Sequence, residues 1–241
     1  MGAIPLEQEI EYPTSDGQPM AETTLHRKVM ADLIEALERR YAGSPDIWVG
    51  GNLFLCYERG NPSAALAPDV LLAKGVAKWD RPNYLLWEER PPSLIVEVTS
   101  RKTRREDQRG KKDVYEQIGV EEYVLFDPYG EYLRPRLQGH RSERGRFQPI
   151  PLAGNGSLES RTTGLILRPE GERLRLIDKV TGEPLLWTDE LEGARAAAEA
   201  RRAQAEALAA EEAATRRELE ERLRGLEEEL ARLRRGSGAQ G

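Results

Sequence analysis

Cysteine and histidine are nearly absent from this 241-residue chain, which holds one cysteine, Cys56, and two histidines, His26 and His140. One thiol excludes an internal disulfide, and three such side chains cannot assemble a Cys/His zinc site. Any metal must then be a hard cation held by carboxylates. Cys56 sits in the apolar run Asn52–Tyr57 and reads as a buried thiol suited to a reducing compartment. No apolar stretch approaches the roughly 20 residues that cross a bilayer. Residues Met1 to Glu9 have neither a basic n-region nor an apolar h-region, so no signal peptide is expected. The expected location is cytoplasmic, with no membrane partner. A basic excess is lacking too. The net charge of −6 excludes a surface that is positive all over, while leaving room for a local basic site. There is no Gly-rich phosphate loop between a strand and a helix, which leaves a nucleotide-binding α/β enzyme without support.

What is present falls into two parts. Up to about residue 188 the chain alternates apolar runs with turns; beyond it Ala, Glu, Arg and Leu dominate. Leu25, Val29, Leu33, Ile34, Leu37 and Tyr41 fall at helical spacing and predict a helix over 22–41. Strands are predicted at 47–57, with Gly50-Gly51 as a bend or bulge, and at 68–73. Residues 74–92 read as a loop. The clearest strand is 93–99, a nearly continuous apolar run interrupted by Glu97, and a second strong one is 122–127. Between them Thr103-Arg-Arg-Glu106 has the spacing of a capping box, and Gly119 ends the helix that follows. Two buried strands joined by a helix make a right-handed parallel βαβ unit. Further strands are predicted at 131–137, 146–150 and 173–177. In the second part, Leu219, Leu223, Leu226, Leu230 and Leu233 are spaced four, three, four, three, which is a heptad seam. The step of four before Leu223 repeats the four before Leu219 and reads as a stutter. A coiled coil over 189–235 that joins two copies, or a solvated single helix laced by Glu–Arg pairs, fits this pattern, with a disordered tail at 236–241.

Three features coincide in the first part. Pro68-Asp69 opens a strand, Glu97 lies within an apolar strand 28 residues later, and a dense basic segment follows: Arg101, Lys102, Arg104, Arg105, Arg109, Lys111 and Lys112. Taken alone, Glu97 on a half-exposed strand would point to solvent. Buried, it must be paired or bind a metal. Two carboxylates at the ends of adjacent strands can converge on one Mg²⁺, which takes one or two protein carboxylates plus water and phosphate. A lysine beside the metal would stabilise the attacking hydroxide and the developing charge. Asp107, Lys111 and Tyr115 fall at i, i+4 and i+8 and share one helix face. In isolation, Lys111 reads as a surface ion pair with Asp107, worth a few tenths of a kcal/mol.

The ordered set Pro68-Asp69, Glu97-Val-Thr-Ser100, Asp107-x-x-x-Lys111-x-x-x-Tyr115, Gly119-Val120-x-Glu122-Tyr123 and Asp127-Pro128 resembles the Uma-type restriction endonuclease family, a bacterial branch of the PD-(D/E)XK nuclease superfamily. The resemblance covers roughly residues 20–185. It implies an α/β fold with a restriction-endonuclease-like αβββαβ core and mixed sheet, and Mg²⁺ (or Mn²⁺) dependence. Asp69 and Glu97 would be metal ligands, with the carbonyl of Val98 a possible third. Thr99 stands where the superfamily usually has lysine, so the catalytic lysine would be Lys111, displaced onto the following helix. Glu22 matches the extra acid that many such nucleases carry on their first helix. His26 lies one turn on and fits either the site or plain helix packing. Asp107 and Tyr115 take supporting roles; Tyr123 and Asp127 read as structural. The implied activity is Mg²⁺-dependent DNA cleavage, with a dimer formed through the C-terminal helix. The alternative is an inactive nuclease-fold scaffold that recruits a partner through that helix.

Overall fold

In the computed structural model the described residues are 12–14 and 23–237, the side chains of 231–237 excepted. Glu22 and residues 238–241 lie outside them. The chain divides into two units between Thr188 and Asp189.

The first unit is built on a six-stranded mixed sheet. Helix α1 (Thr24–Arg40) comes first, capped by the Thr23 side chain, which accepts from the His26 N–H. Then follow β1 (Ile47–Gly50), the two-residue strands β2 (Leu55–Cys56) and β3 (Ala65–Leu66), β4 (Val70–Lys74), the short β5 (Tyr84–Leu85) and β6 (Leu94–Val98). A π-helical stretch, Glu106–Lys111, runs straight into α2 (Lys112–Gln117). The unit continues with β7 (Glu122–Phe126), β8 (Leu137–Glu143), β9 (Arg146–Pro149), β10 (Leu158–Ser160), β11 (Leu165–Glu170) and β12 (Arg173–Asp178). The main sheet has the order β1-β4-β6-β7-β8-β9. Only β6 and β7 run parallel, as the helical crossover between them requires; the other neighbours are antiparallel. The αβββαβ core is thus α1, β1, β4, β6, α2 and β7.

Strand alternation divides the core between the two faces of the sheet. Val70, Leu72, Leu94, Val96, Val98, Val124 and Phe126 face one way, onto Val29, Leu33 and Leu37 of α1 and onto the β10-β11-β12 sheet. Leu71, Ala73, Ile95, Tyr123 and Leu125 face the other way, onto Tyr115 of α2 and Leu55 of β2. By that parity Glu97 belongs to the α2 face.

Several expectations are corrected. The strand expected at 47–57 breaks after Gly50 because Gly51 packs against the backbone of Asp69: a Cβ there would lie 2.0 Å from the Asp69 carbonyl oxygen. Residues 131–136 form a loop rather than a strand, since the Asp127 carboxylate gathers the N–H groups of Tyr129, Gly130, Tyr132 and Leu133. The hydroxyl of Thr103 does not cap Glu106; it turns back to Ser100. The 74–92 loop contains β5, which pairs with β2. The expected strands also do not include β3, β10 and β11, nor β8 beyond Leu137.

The described part of the second unit is the helix α3 (Thr188–Ser237) beyond its first residue, with helical backbone through Gly236 and Ser237, into the segment expected as the tail. Among the described residues, no helix is long and apolar enough to cross a membrane.

Candidate active site

The end of the sheet where β4 begins and β6 finishes gathers the expected residues. Val70 pairs with Val96 in antiparallel register, so Asp69 and Glu97, one step beyond on each strand, are cross-strand neighbours. Asp69 is held by two contacts: its Oδ2 accepts from the Val98 N–H at 2.7 Å, and its Oδ1 lies 3.1 Å from His26 Nε2. Val98 therefore meets Asp69 through its N–H. Helix α1 delivers His26 from its first turn, and this histidine is buried. Of the two sequence readings of His26, the structure shows a contact with the candidate acid Asp69.

Glu97 is 1 % exposed. Its Oε2 accepts from Lys111 Nζ at 2.9 Å and its Oε1 from the Tyr115 hydroxyl at 2.8 Å. Lys111 also sits 3.2 Å from Asp107 Oδ1, and Asp107 is as buried as Glu97. The surface pair of Lys111 with Asp107 is thus excluded; both groups lie under the helix. Asp107, Lys111 and Tyr115, on one helix face by their spacing, point inward, while Arg105 and Arg109 stay exposed; residues 106–111 form a π turn. The Tyr123 hydroxyl donates to the Asp107 carbonyl at 2.8 Å, bracing the widened turn from β7.

Three carboxylates and one ammonium share this space, so with all of them ionised the cluster carries surplus negative charge. Burial is the main cause that raises the Glu97 carboxyl above its usual range. Lys111 opposes the shift, and Asp69 and Asp107 reinforce it. Burial alone would lower Lys111, but Glu97, Asp107 and Asp69 together push it upward, so the amine stays protonated. Thr99, where a lysine would be usual, has a buried hydroxyl with no hydrogen-bond partner. The Asp107 carboxylate oxygens are likewise buried without a well-formed hydrogen bond.

Residues 3–169 match the family model described as "Uma2: Putative restriction endonuclease". The chain belongs to the Uma2 family. No curated protein matches. Among solved structures that match is one described as "a putative nuclease belonging to DUF820" from Anabaena variabilis ATCC 29413. It is 9% identical with a TM-score of 0.44, and the match covers 59% of this chain and 75% of that one. The Uma2 match spans α1 through most of β11 and contains every residue of the Asp69, Glu97, Asp107 and Lys111 cluster.

Sequence reasoning undervalued two of these residues. Asp107 read as a helper, and nothing in its spacing revealed that it is buried under Lys111. The pairing of His26 with Asp69 spans 43 positions and left no local signal.

Proposed function

We propose that this Uma2 protein is a divalent-cation-dependent DNA endonuclease, with Asp69 and Glu97 as the metal-holding acids and Lys111 as the catalytic amine. The observation that carries the reading is the burial of Glu97 and Asp107 beside Asp69 with one lysine among them. Ionised together, these acids are costly to bury unless a cation shares their charge or Glu97 keeps a proton.

Among the described residues no three His, Cys, Asp or Glu side chains form a metal-binding group. A pair of carboxylates is nonetheless the donor set that Mg²⁺ or Mn²⁺ uses together with water and substrate phosphate. The two acids of this site suit that role, and Glu22 is a candidate additional acid. A bound divalent cation would lower the pKa of a water and neutralise charge on the phosphate. The chain's own residues do the rest. His26 and the Val98 N–H orient Asp69. Tyr115 orients Glu97. Lys111 supplies a fixed positive charge where the attacked phosphate gains negative charge. The exposed Arg101, Lys102, Arg105 and Arg109 offer contacts for a DNA backbone. On this reading the protein acts as a dimer joined through α3.

Purified full-length protein with Mg²⁺ or Mn²⁺ should nick or cut plasmid DNA. Lys111→Ala and Asp69→Asn should each lower the rate at least ~100-fold, with far-UV circular dichroism unchanged. Undiminished cleavage in both variants would remove this site from the mechanism.

One observation favours a second reading, an inactive scaffold: both acids are already paired within the protein, Asp69 to His26 and Val98, Glu97 to Lys111 and Tyr115. Calorimetry with Mn²⁺ separates the two. Heat that disappears in Asp69→Asn supports the nuclease, and no heat in the parent protein supports the scaffold.

A further inference from the structure

Helix α3 exposes a row of large apolar side chains. Leu219, Leu223, Leu226 and Leu230 are each between 52% and 60% exposed, and Leu233 continues the row in sequence. Four-three spacing places Leu219, Leu226 and Leu233 at d and Leu223 and Leu230 at a. The flanking positions then follow. Residues 222 and 229 are g, occupied by Arg222 and Glu229; residues 220, 227 and 234 are e, occupied by Glu220, Glu227 and Arg234.

We propose that residues 219–234 form a parallel, in-register two-stranded coiled coil with a second copy of this chain. The flanking charges select that partner and that orientation. In a parallel pair each g residue faces the e residue five positions later on the other helix. Arg222 then meets Glu227 of the other copy and Glu229 meets Arg234, each contact occurring twice by symmetry. Both are opposite-charge pairs, and the preceding g position holds the neutral Thr215 opposite Glu220, so no like charges meet. In an antiparallel pair e faces e and g faces g, and with Leu223 opposite Leu226 this brings Glu220 against Glu227, a repulsion that offsets the Arg222–Glu229 pairs of the same alignment, whereas the parallel pair has no like-charge contact. Three of the four charges needed also lie outside the described ion pairs of the helix. Between residues 202 and 230 the described ion pairs of α3 are Arg202–Glu206 and Arg216–Glu220, which leaves Arg222, Glu227 and Glu229 outside them.

This inference concerns α3 alone and holds whether or not the protein cuts DNA. It is tested on the full chain, with analytical ultracentrifugation giving the mass and cysteine cross-linking giving the orientation. The parent protein is expected at twice the chain mass. Leu226→Cys should cross-link to itself nearly completely under mild oxidation, because d residues meet across a parallel dimer. Arg222→Glu should weaken the dimer about tenfold by placing two glutamates together, and Arg222→Glu with Glu227→Arg should restore it. A monomer, a trimer, a dimer in which Leu226→Cys fails to cross-link, or a double variant no tighter than the single one would overturn the proposal.

Discussion

At the scale of single residues, the site is a case of charge buried beyond what its one lysine balances. Glu97, 1 % exposed, depends on two donors, Lys111 and Tyr115. Removing only Lys111 leaves acids unpaired in the interior, so Lys111→Met should cost about 3 kcal/mol in urea unfolding. Adding Glu97→Gln removes one of those charges. The double variant is therefore expected to be more stable than Lys111→Met alone, a non-additivity that a double-mutant cycle measures. Outside the site, His140 makes a pH prediction. Burial against Tyr123 and Phe147 lowers its pKa from 6.5 to about 4. The folded state thus disfavours the charged ring. Its contribution to stability is fully present above pH 6.5 and is lost as pH falls toward 4. His140→Phe should flatten the fall in urea midpoint across that window; an unchanged acid limb would count against this origin.

At the scale of elements, the segments around the site work by close approach and by backbone capture. Gly51 is needed because any Cβ would strike the carbonyl of Asp69. Gly51→Ala should therefore cost about 1–3 kcal/mol. It should also reduce cleavage beyond what that stability loss accounts for, since the backbone carrying Asp69 must shift. Asp127 accepts four backbone N–H groups of the loop after β7, so Asp127→Ala is expected to destabilise by roughly 2–3 kcal/mol without touching the acid pair. The helical segment across the π turn has two faces: Asp107 and Lys111 inward, Arg105 and Arg109 outward. If the outer face meets DNA phosphates, Arg105→Ala with Arg109→Ala should weaken binding uniformly across sequences. The salt slope should fall by about 2. An unchanged slope would make these arginines solvated surface.

At the scale of the whole molecule, the two units differ in what stabilises them. In the first, the apolar clusters on the two faces of the main sheet lie wholly within residues up to Leu185. Arg173 on β12 pairs with Asp32 on α1 at 2.8 Å, and its guanidinium and that of Arg175 stack on Trp187. A chain ending at Thr188 should then keep a cooperative thermal transition close to that of the full protein. It should lose most of the helical signal of α3 and any concentration-dependent association. A large drop in transition temperature would mean that the second unit contributes to the stability of the first.

The sequence by itself determined the main elements and which residues to gather as a candidate site. The short apolar runs at 93–99 and 122–127, rich in Ile, Val, Tyr and Phe and flanked by Pro92, Gly119 and Pro128, read as buried strands. The acid within the first of them, the lysine on the following helix and the leucine heptads were all visible, because periodicity and an apolar surround are local properties. What only the tertiary structure decided was position. That Asp107 is buried rather than exposed, that His26 reaches Asp69, that Gly51 is a point of close approach, and that the helix before α2 widens into a π turn all depend on residues far apart in the chain being packed together. No local pattern encodes those distances. They follow from strand register and from the need to pair every charge the core encloses.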